Sequence, residues 1–125
     1  MKRLIFASLL SAFAVTCSAA GFTALMSVEA EAAGPLGDLS PLMTIVTDVQ
    51  TIAKTGDFTA AEKRITDFET LWDDDEATMK PMNKKAWHHV DDAADAALKA
   101  LRTKKPDASE VSDTLSALAT ALGNP

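Results

Sequence analysis

The clearest helical period in the 125-residue chain lies between Asn83 and Arg102. Apolar residues recur there at intervals of three and four, as they do on one face of an α-helix that packs against a core. The residues of this face are Trp87, Val90, Ala94, Ala97, Leu98 and Leu101. Asn83 is suited to cap the start of the helix, and Pro106 prevents it from continuing. The rest of the fold must therefore cover this face.

Three further segments repeat the period and complete a set of four helices. The first starts at Ser40-Pro41, a cap residue followed by proline at the first helical position, and Gly56 ends it. Capping pairs at Thr59–Glu62 and Asp107–Glu110 mark the starts of the second and fourth. No segment alternates apolar and polar residues over a useful length, so we predict no strand.

The second helix is predicted to end at the acidic run Asp73–Glu76. Residues 77–82 are then the connection to the next helix, because Pro81 breaks helices. Four acids at a helix C-terminus are unfavourable unless a basic side chain such as Lys80 lies there. Because the links are short, we predict an all-α fold: an antiparallel four-helix bundle, up-down-up-down, after an N-terminal signal peptide.

The segment from Met1 to Ala32 has the features of an export signal. Two basic residues precede an apolar stretch at residues 4–15, and Ala30-Glu31-Ala32 is a cleavage site of the Ala-x-Ala type. The predicted organisation is a signal peptide at 1–32, a flexible lead-in at 33–39 and a periplasmic bundle at 40–123.

Three alternatives remain for the N-terminal segment. The first is an earlier cleavage after Ala20. The second is retention as a membrane anchor, since no charge lies between Leu4 and Val28. The third is lipidation at Cys17.

Charge and cysteine content restrict the classes of partner. The formal net charge is −6, and no basic cluster lies outside the N-terminal segment, which argues against nucleic acid and against an anionic membrane surface. The single cysteine, Cys17, lies in the export signal, so the mature domain has neither a disulfide nor a thiol catalyst. Small cations, basic proteins or no partner at all are compatible with this charge.

A transition-metal site is the most specific chemistry that the residues offer. Imidazole suits zinc, copper or iron, and carboxylates can complete the ligand set. The candidate ligands are His88, His89, Asp91, Asp73 and Asp74, provided that the end of the second helix meets the start of the third. The plain alternative is a solvated helix face with weak ion pairs.

Other metal centres have less support. Met79 and Met82 together with His88 and His89 would instead suit copper, since thioether ligands select Cu(I), although methionines near a loop more often fill gaps in packing. The Glu-x-x-His pairs of di-iron carboxylate proteins are absent, and so is the Cys-x-x-Cys-His motif of covalent haem attachment. No cofactor is therefore predicted apart from the transition metal of the alternative hypothesis.

We predict that the protein is not an enzyme, because no nucleophile elbow or oxyanion-hole glycine motif accompanies its serines. The first hypothesis is an exported helical bundle that acts as an envelope accessory or protein-interaction module, which an exposed apolar stripe on the first helix would favour. The alternative is a periplasmic metal-binding bundle that uses His88, Asp91 and Asp73–Glu76. The third is a small-molecule carrier, which a cavity between Trp72 and Trp87 would favour; otherwise these rings stack in the core.

The segment from Gly34 to the C-terminus resembles a group of small exported proteins of proteobacteria. The matching features are Gly34-Pro35-Leu36-Gly37-Asp38-Leu39-Ser40-Pro41, Gly56-Asp57, Glu69-Thr70-Leu71-Trp72-Asp73, Lys80-Pro81, Trp87-His88, Val90-Asp91 and Ala93-Ala94. The resemblance covers nearly all of the mature chain and implies a helical periplasmic domain. It implies no activity, and no functional residue is carried over from it.

The export signal predicts that the mature protein begins at Ala33. Intact-mass spectrometry of the protein from a periplasmic fraction should give one species that lacks residues 1–32. Ala32→Leu should block this cut because the site requires small residues, whereas Ala20→Leu should leave it unchanged. A mature chain that begins at Gly21, or a full-length chain in the membrane fraction, would contradict the prediction.

Overall fold

The structure, a computed structural model, describes residues 34–125, and within this range the chain forms four α-helices and no strand. The helices are α1 (Ser40–Lys54), α2 (Phe58–Met82), α3 (Lys84–Leu101) and α4 (Ala108–Gly123). Helices α1 and α3 each pack against both α2 and α4, around one hydrophobic core. The all-α prediction is confirmed at this level. The predicted signal peptide lies outside the described residues.

The apolar faces predicted from the helical period line this core. Every residue of the predicted α3 face is buried, and Phe68 of α2 and Leu118 of α4 are fully covered. On α1, Met43 and Ile52 are partly buried and pack against the core. The broad apolar face of α1 is therefore covered and does not form an exposed stripe. None of the helices within residues 34–125 has the length and hydrophobicity needed to cross a membrane.

Side-chain oxygens cap the starts of three helices, and two of these caps, Asn83 and Asp107, are the predicted ones. Asn83 begins α3 and Asp107 begins α4, and each accepts the backbone N–H three residues further on, at 3.0 and 2.9 Å. Asp57 begins α2 in the same way, two residues before the predicted capping box. At α1, Ser40 is not the cap; its N–H donates to the carboxylate of Asp38 at 2.9 Å.

The prediction for the end of α2 was wrong, because the helix continues six residues past the acidic run Asp73–Glu76. Pro81 lies in the last turn, where its missing N–H interrupts little of the helix. The side chain of Met79 is buried, and Lys80 Nζ lies 2.7 Å from Glu76 Oε1, an ion pair four residues apart. These contacts hold the added turns, and the acids lie within the helix instead of at its C-terminus.

Residues 34–39, predicted to be a flexible lead-in, form a turn that packs onto the core. The N–H of Gly37 donates to the carbonyl of Gly34 at 2.9 Å, and Gly37 has φ +86°, a conformation that other residues rarely adopt. Leu36 and Leu39 are buried among the core residues. Helical periodicity assigns neither leucine to the core, since both precede α1. The mobility of the segment stays a prediction.

Truncation of Leu36 should destabilise the domain although this residue lies outside the helices. We expect Leu36→Ala to lower the free energy of unfolding by about 2–4 kcal/mol, as for other buried leucines. Met82→Ala truncates a side chain that is 55% exposed and should cost less than about 1 kcal/mol. Urea titrations followed by tryptophan fluorescence measure both values. Equally small losses would show that the turn contributes nothing to the core.

Candidate functional site

The two tryptophans stack on each other between α2 and α3, as predicted. The ring centroids of Trp72 and Trp87 are 5.5 Å apart, with their planes at 13°. Phe68 extends the stack on the far side of Trp72, and the ring of His88 lies edge-on to Trp87 at 5.2 Å. Both indoles are buried. The direct contact leaves no cavity between the tryptophans, so the observation that would favour a small-molecule carrier is missing.

The two indole N–H groups have different surroundings. Trp72 Nε1 donates to Asp91 Oδ1 at 2.9 Å, which ties α2 to α3. Burial raises the pKa of the Asp91 carboxyl above its ordinary value; the Trp72 hydrogen bond opposes this rise, and the nearby charges of Asp95 and Asp92 add to it. Trp87 Nε1 is buried and has no hydrogen-bond partner within the described part of the chain.

Lys80 connects the tryptophan stack to the protein surface. Its ammonium lies 4.2 Å from the ring centroid of Trp87, where the electron-rich face of the indole attracts a cation. The same ammonium forms the 2.7 Å ion pair with Glu76. These two contacts hold the side chain of Lys80 in one position along the outer side of α2.

An open groove of about 400 Å³ runs from the last turns of α2 to the start of α3. We call it the corner groove, and its lining residues are Asp73, Glu76, Ala77, Lys80, Pro81 and Lys84. Met82, the single large apolar side chain exposed within residues 34–125, does not line the groove, and its methyl group lies near Gly37. The corner groove therefore combines small apolar surface with an acid at one end and a base at the other.

The predicted metal ligands do not form a cluster. His88 and His89 are exposed, and so are Asp73 and Asp74. The carboxylate of Asp91 is already the acceptor for an indole N–H. Among the described residues, no three histidine, cysteine, aspartate or glutamate side chains come close enough together to hold a metal ion. Metal binding at these residues stays a prediction, and their arrangement provides no preformed donor set for it.

The methionines of the copper alternative lie in different environments. Met79 is buried in the core, whereas Met82 is 55% exposed. A buried thioether that packs against apolar side chains fills space in the core. The part of the copper alternative that depends on both sulfurs therefore has no shared site in the described structure.

Sequence patterns did not reveal the corner groove, because Ala77 and Pro81 were assigned to a connection. One signal was present in the sequence. Met79 follows Trp72 by seven residues and so continues the apolar face that Ile65 and Trp72 share. This spacing indicates that the helix continues past the acidic run. The added residues supply three of the six residues that line the groove, Ala77, Lys80 and Pro81.

Comparisons of the chain with protein-family models, with curated proteins and with solved structures found no match. We therefore infer function from the side chains around the corner groove and from the sequence patterns.

Asp91 should make stability depend on pH in one direction. Because its folded pKa is raised above an ordinary value of about 4, the folded state holds the proton more tightly than the unfolded state. Its contribution to the free energy of unfolding therefore falls as pH rises from about 4 through the raised pKa. Asp91→Asn should lack this fall, because the amide carries no charge and its oxygen can still accept from Trp72.

Urea titrations between about pH 3 and 8, the range over which carboxylates titrate, measure the free energy of unfolding of the wild type and the variant. The effect is the difference between the two pH curves. The exposed neighbour provides a matched control, because Asp92→Asn should retain the fall. Asp91→Ala should cost about 1–3 kcal/mol, since the indole N–H of Trp72 then has no acceptor. Parallel pH curves for the wild type and Asp91→Asn would contradict the prediction.

Proposed function

We propose that this chain is an exported, non-enzymatic helical-bundle protein that serves as an accessory in the cell envelope by binding a protein partner at the corner groove. The observation that carries the proposal is an open groove whose middle exposes Ala77 and Pro81 and whose ends carry opposite charges. Exposed apolar surface bordered by polar groups is typical of protein interaction sites. The export pattern of residues 1–32 supports a location in the periplasm.

The lining of the corner groove favours recognition over catalysis. Glu76 and Lys80 neutralise each other through a 2.7 Å ion pair. None of the six lining residues is a histidine, serine or cysteine, the usual sources of an imidazole base or an activated nucleophile. The groove is also open to solvent, whereas reaction sites commonly exclude water. Such a surface suits a partner that offers an apolar contact flanked by charges.

We propose as well that the four helices alternate in direction, up-down-up-down. Three contacts between α2 and the α3 segment support this arrangement: Lys80 with Trp87, Trp72 with Asp91, and Glu69 with Arg102. Arg102 is the residue that caps the end of α3. The residue number on α2 falls as the number on α3 rises, which is the order expected of antiparallel helices. Across the Gly56 turn, Arg64 of α2 bonds to Asp48 of α1 at 2.7 Å, in agreement with an antiparallel hairpin.

Photo-crosslinking in intact cells tests the binding role. With p-benzoylphenylalanine in place of Ala77, we expect a discrete adduct with one protein, because residue 77 lines the corner groove. The same amino acid in place of Ala117, an exposed alanine of α4, should not give this adduct. Mass spectrometry of the purified adduct identifies the captured protein.

Two results would count against this proposal. The absence of any adduct from residue 77, or the same adducts from residues 77 and 117, would remove the corner groove as a binding site. An adduct formed only with cytosolic proteins would contradict export.

A further inference from the structure

The corner groove carries opposite charges at its two ends. Asp73 lines one end and Lys84 lines the other. The exposed residues Asp74 and Lys85 follow them in the sequence and add a second charge of the same sign beside each end. The middle of the groove has no net charge, because Glu76 and Lys80 form an ion pair with each other at 2.7 Å. The seven-residue rise from residue 73 to residue 80 alone spans about 10 Å of helix. This length exceeds a Debye length of about 8 Å in physiological salt, so the two ends act as separate patches.

We propose that the corner groove binds the same groove of a second copy of this chain, in a dimer with two-fold symmetry. This inference rests on the function proposed above and specifies the partner. In a two-fold interface, a contact between residue i of one copy and residue j of the other is always made twice. A groove with an acid at one end and a base at the other is therefore complementary to itself, because the Asp73 end of each copy meets the Lys84 end of its partner.

The middle of the groove suits close approach of two helices. Ala77 lies four residues from both Asp73 and Pro81, and its small side chain allows two α2 helices to reach the 8–10 Å separation of packed helices. Lys80 is already held by its neighbours, so its side chain loses little freedom on association.

Net charge opposes self-association, which makes charge reversal a sharp test. Each copy carries −6, so two copies repel at long range. Asp73→Lys with Asp74→Lys changes the net charge to −2, because each substitution adds two. On net charge alone, this variant would associate more strongly than the wild type. The dimer predicts the opposite, because two basic ends then face basic ends.

Sedimentation equilibrium of the protein as it is recovered from cells should show a monomer–dimer equilibrium for the wild type. The acid-to-lysine pair and the reverse pair, Lys84→Glu with Lys85→Glu, should each raise the dissociation constant at least about tenfold, because like charges meet at two contacts. An equimolar mixture of the two variants should restore the dimer, now with one copy of each, since every contact again joins opposite charges.

Matched controls separate the groove from net charge. Asp92→Lys with Asp95→Lys, and Lys104→Glu with Lys105→Glu, make the same changes in net charge at exposed positions that do not line the groove. They measure the effect of net charge alone and should retain the dimer. Thermal melts followed by circular dichroism verify that each variant folds.

The dimer is overturned if the wild type stays monomeric, if the groove variants behave like their net-charge controls, or if the mixture remains monomeric. The crosslink at residue 77 distinguishes this failure from failure of the proposed function. A monomeric wild type with an adduct to a different protein leaves the binding role in place without self-association. A monomeric wild type with no adduct overturns both. A dimer that crosslinks to itself at residue 77 supports both.

Discussion

The stack of Trp72 on Trp87 is the contact on which the arrangement of α2 and α3 depends. Buried aromatic side chains each remove about 150–250 Å² from water. At about 25 cal/mol per Å², two such side chains contribute several kcal/mol. The ion pairs of the described surface, such as that between Arg64 and Asp48, contribute up to about 1 kcal/mol each. The aromatic contact therefore outweighs the charged contacts in holding these helices together.

Hydrophobic contact alone would allow the two helices to slide, and Asp91 limits this freedom. Its carboxylate accepts the indole N–H of Trp72 at 2.9 Å, a bond that requires one register of α3 on α2. The same carboxylate loses part of its hydration, which is why burial raises its pKa. A favourable hydrogen bond and an unfavourable charge burial thus occur at one side chain. Lys80 contacts the outer face of Trp87 and also lines the corner groove, so it connects the stack to the groove.

The parts of the fold that follow from local periodicity were predictable from sequence. The buried face of α3, the contact between Trp72 and Trp87, and the caps Asn83 and Asp107 all follow from spacing and side-chain chemistry. The face and the caps involve residues that are close in sequence or that share one strong period, so distant parts of the chain do not alter them. The contact between the tryptophans joins two helices, and it was predictable because each ring lies on the apolar face of its helix.

The remaining parts depend on tertiary contacts that a local pattern does not show. The acids and Pro81 are both signals of helix termination, but burial of Met79 in the core outweighs them and extends α2. Leu36 resembles a loop residue because it lies among glycine and proline, and only the assembled helices provide a place to bury it. Three of the six residues that line the corner groove lie on the added turns of α2, so the wrong prediction for the helix end also concealed half of the site.

A single residue joins the two helices that line the corner groove. Asn83 accepts the N–H of Ala86 with its side chain, and its own N–H donates to the carbonyl of Met79, so it ends α2 and begins α3 at once. Because the connection is only one residue long, it restricts the orientation of α3 relative to α2 in the free protein. Association there requires little further loss of backbone entropy, so more of the contact free energy remains as affinity.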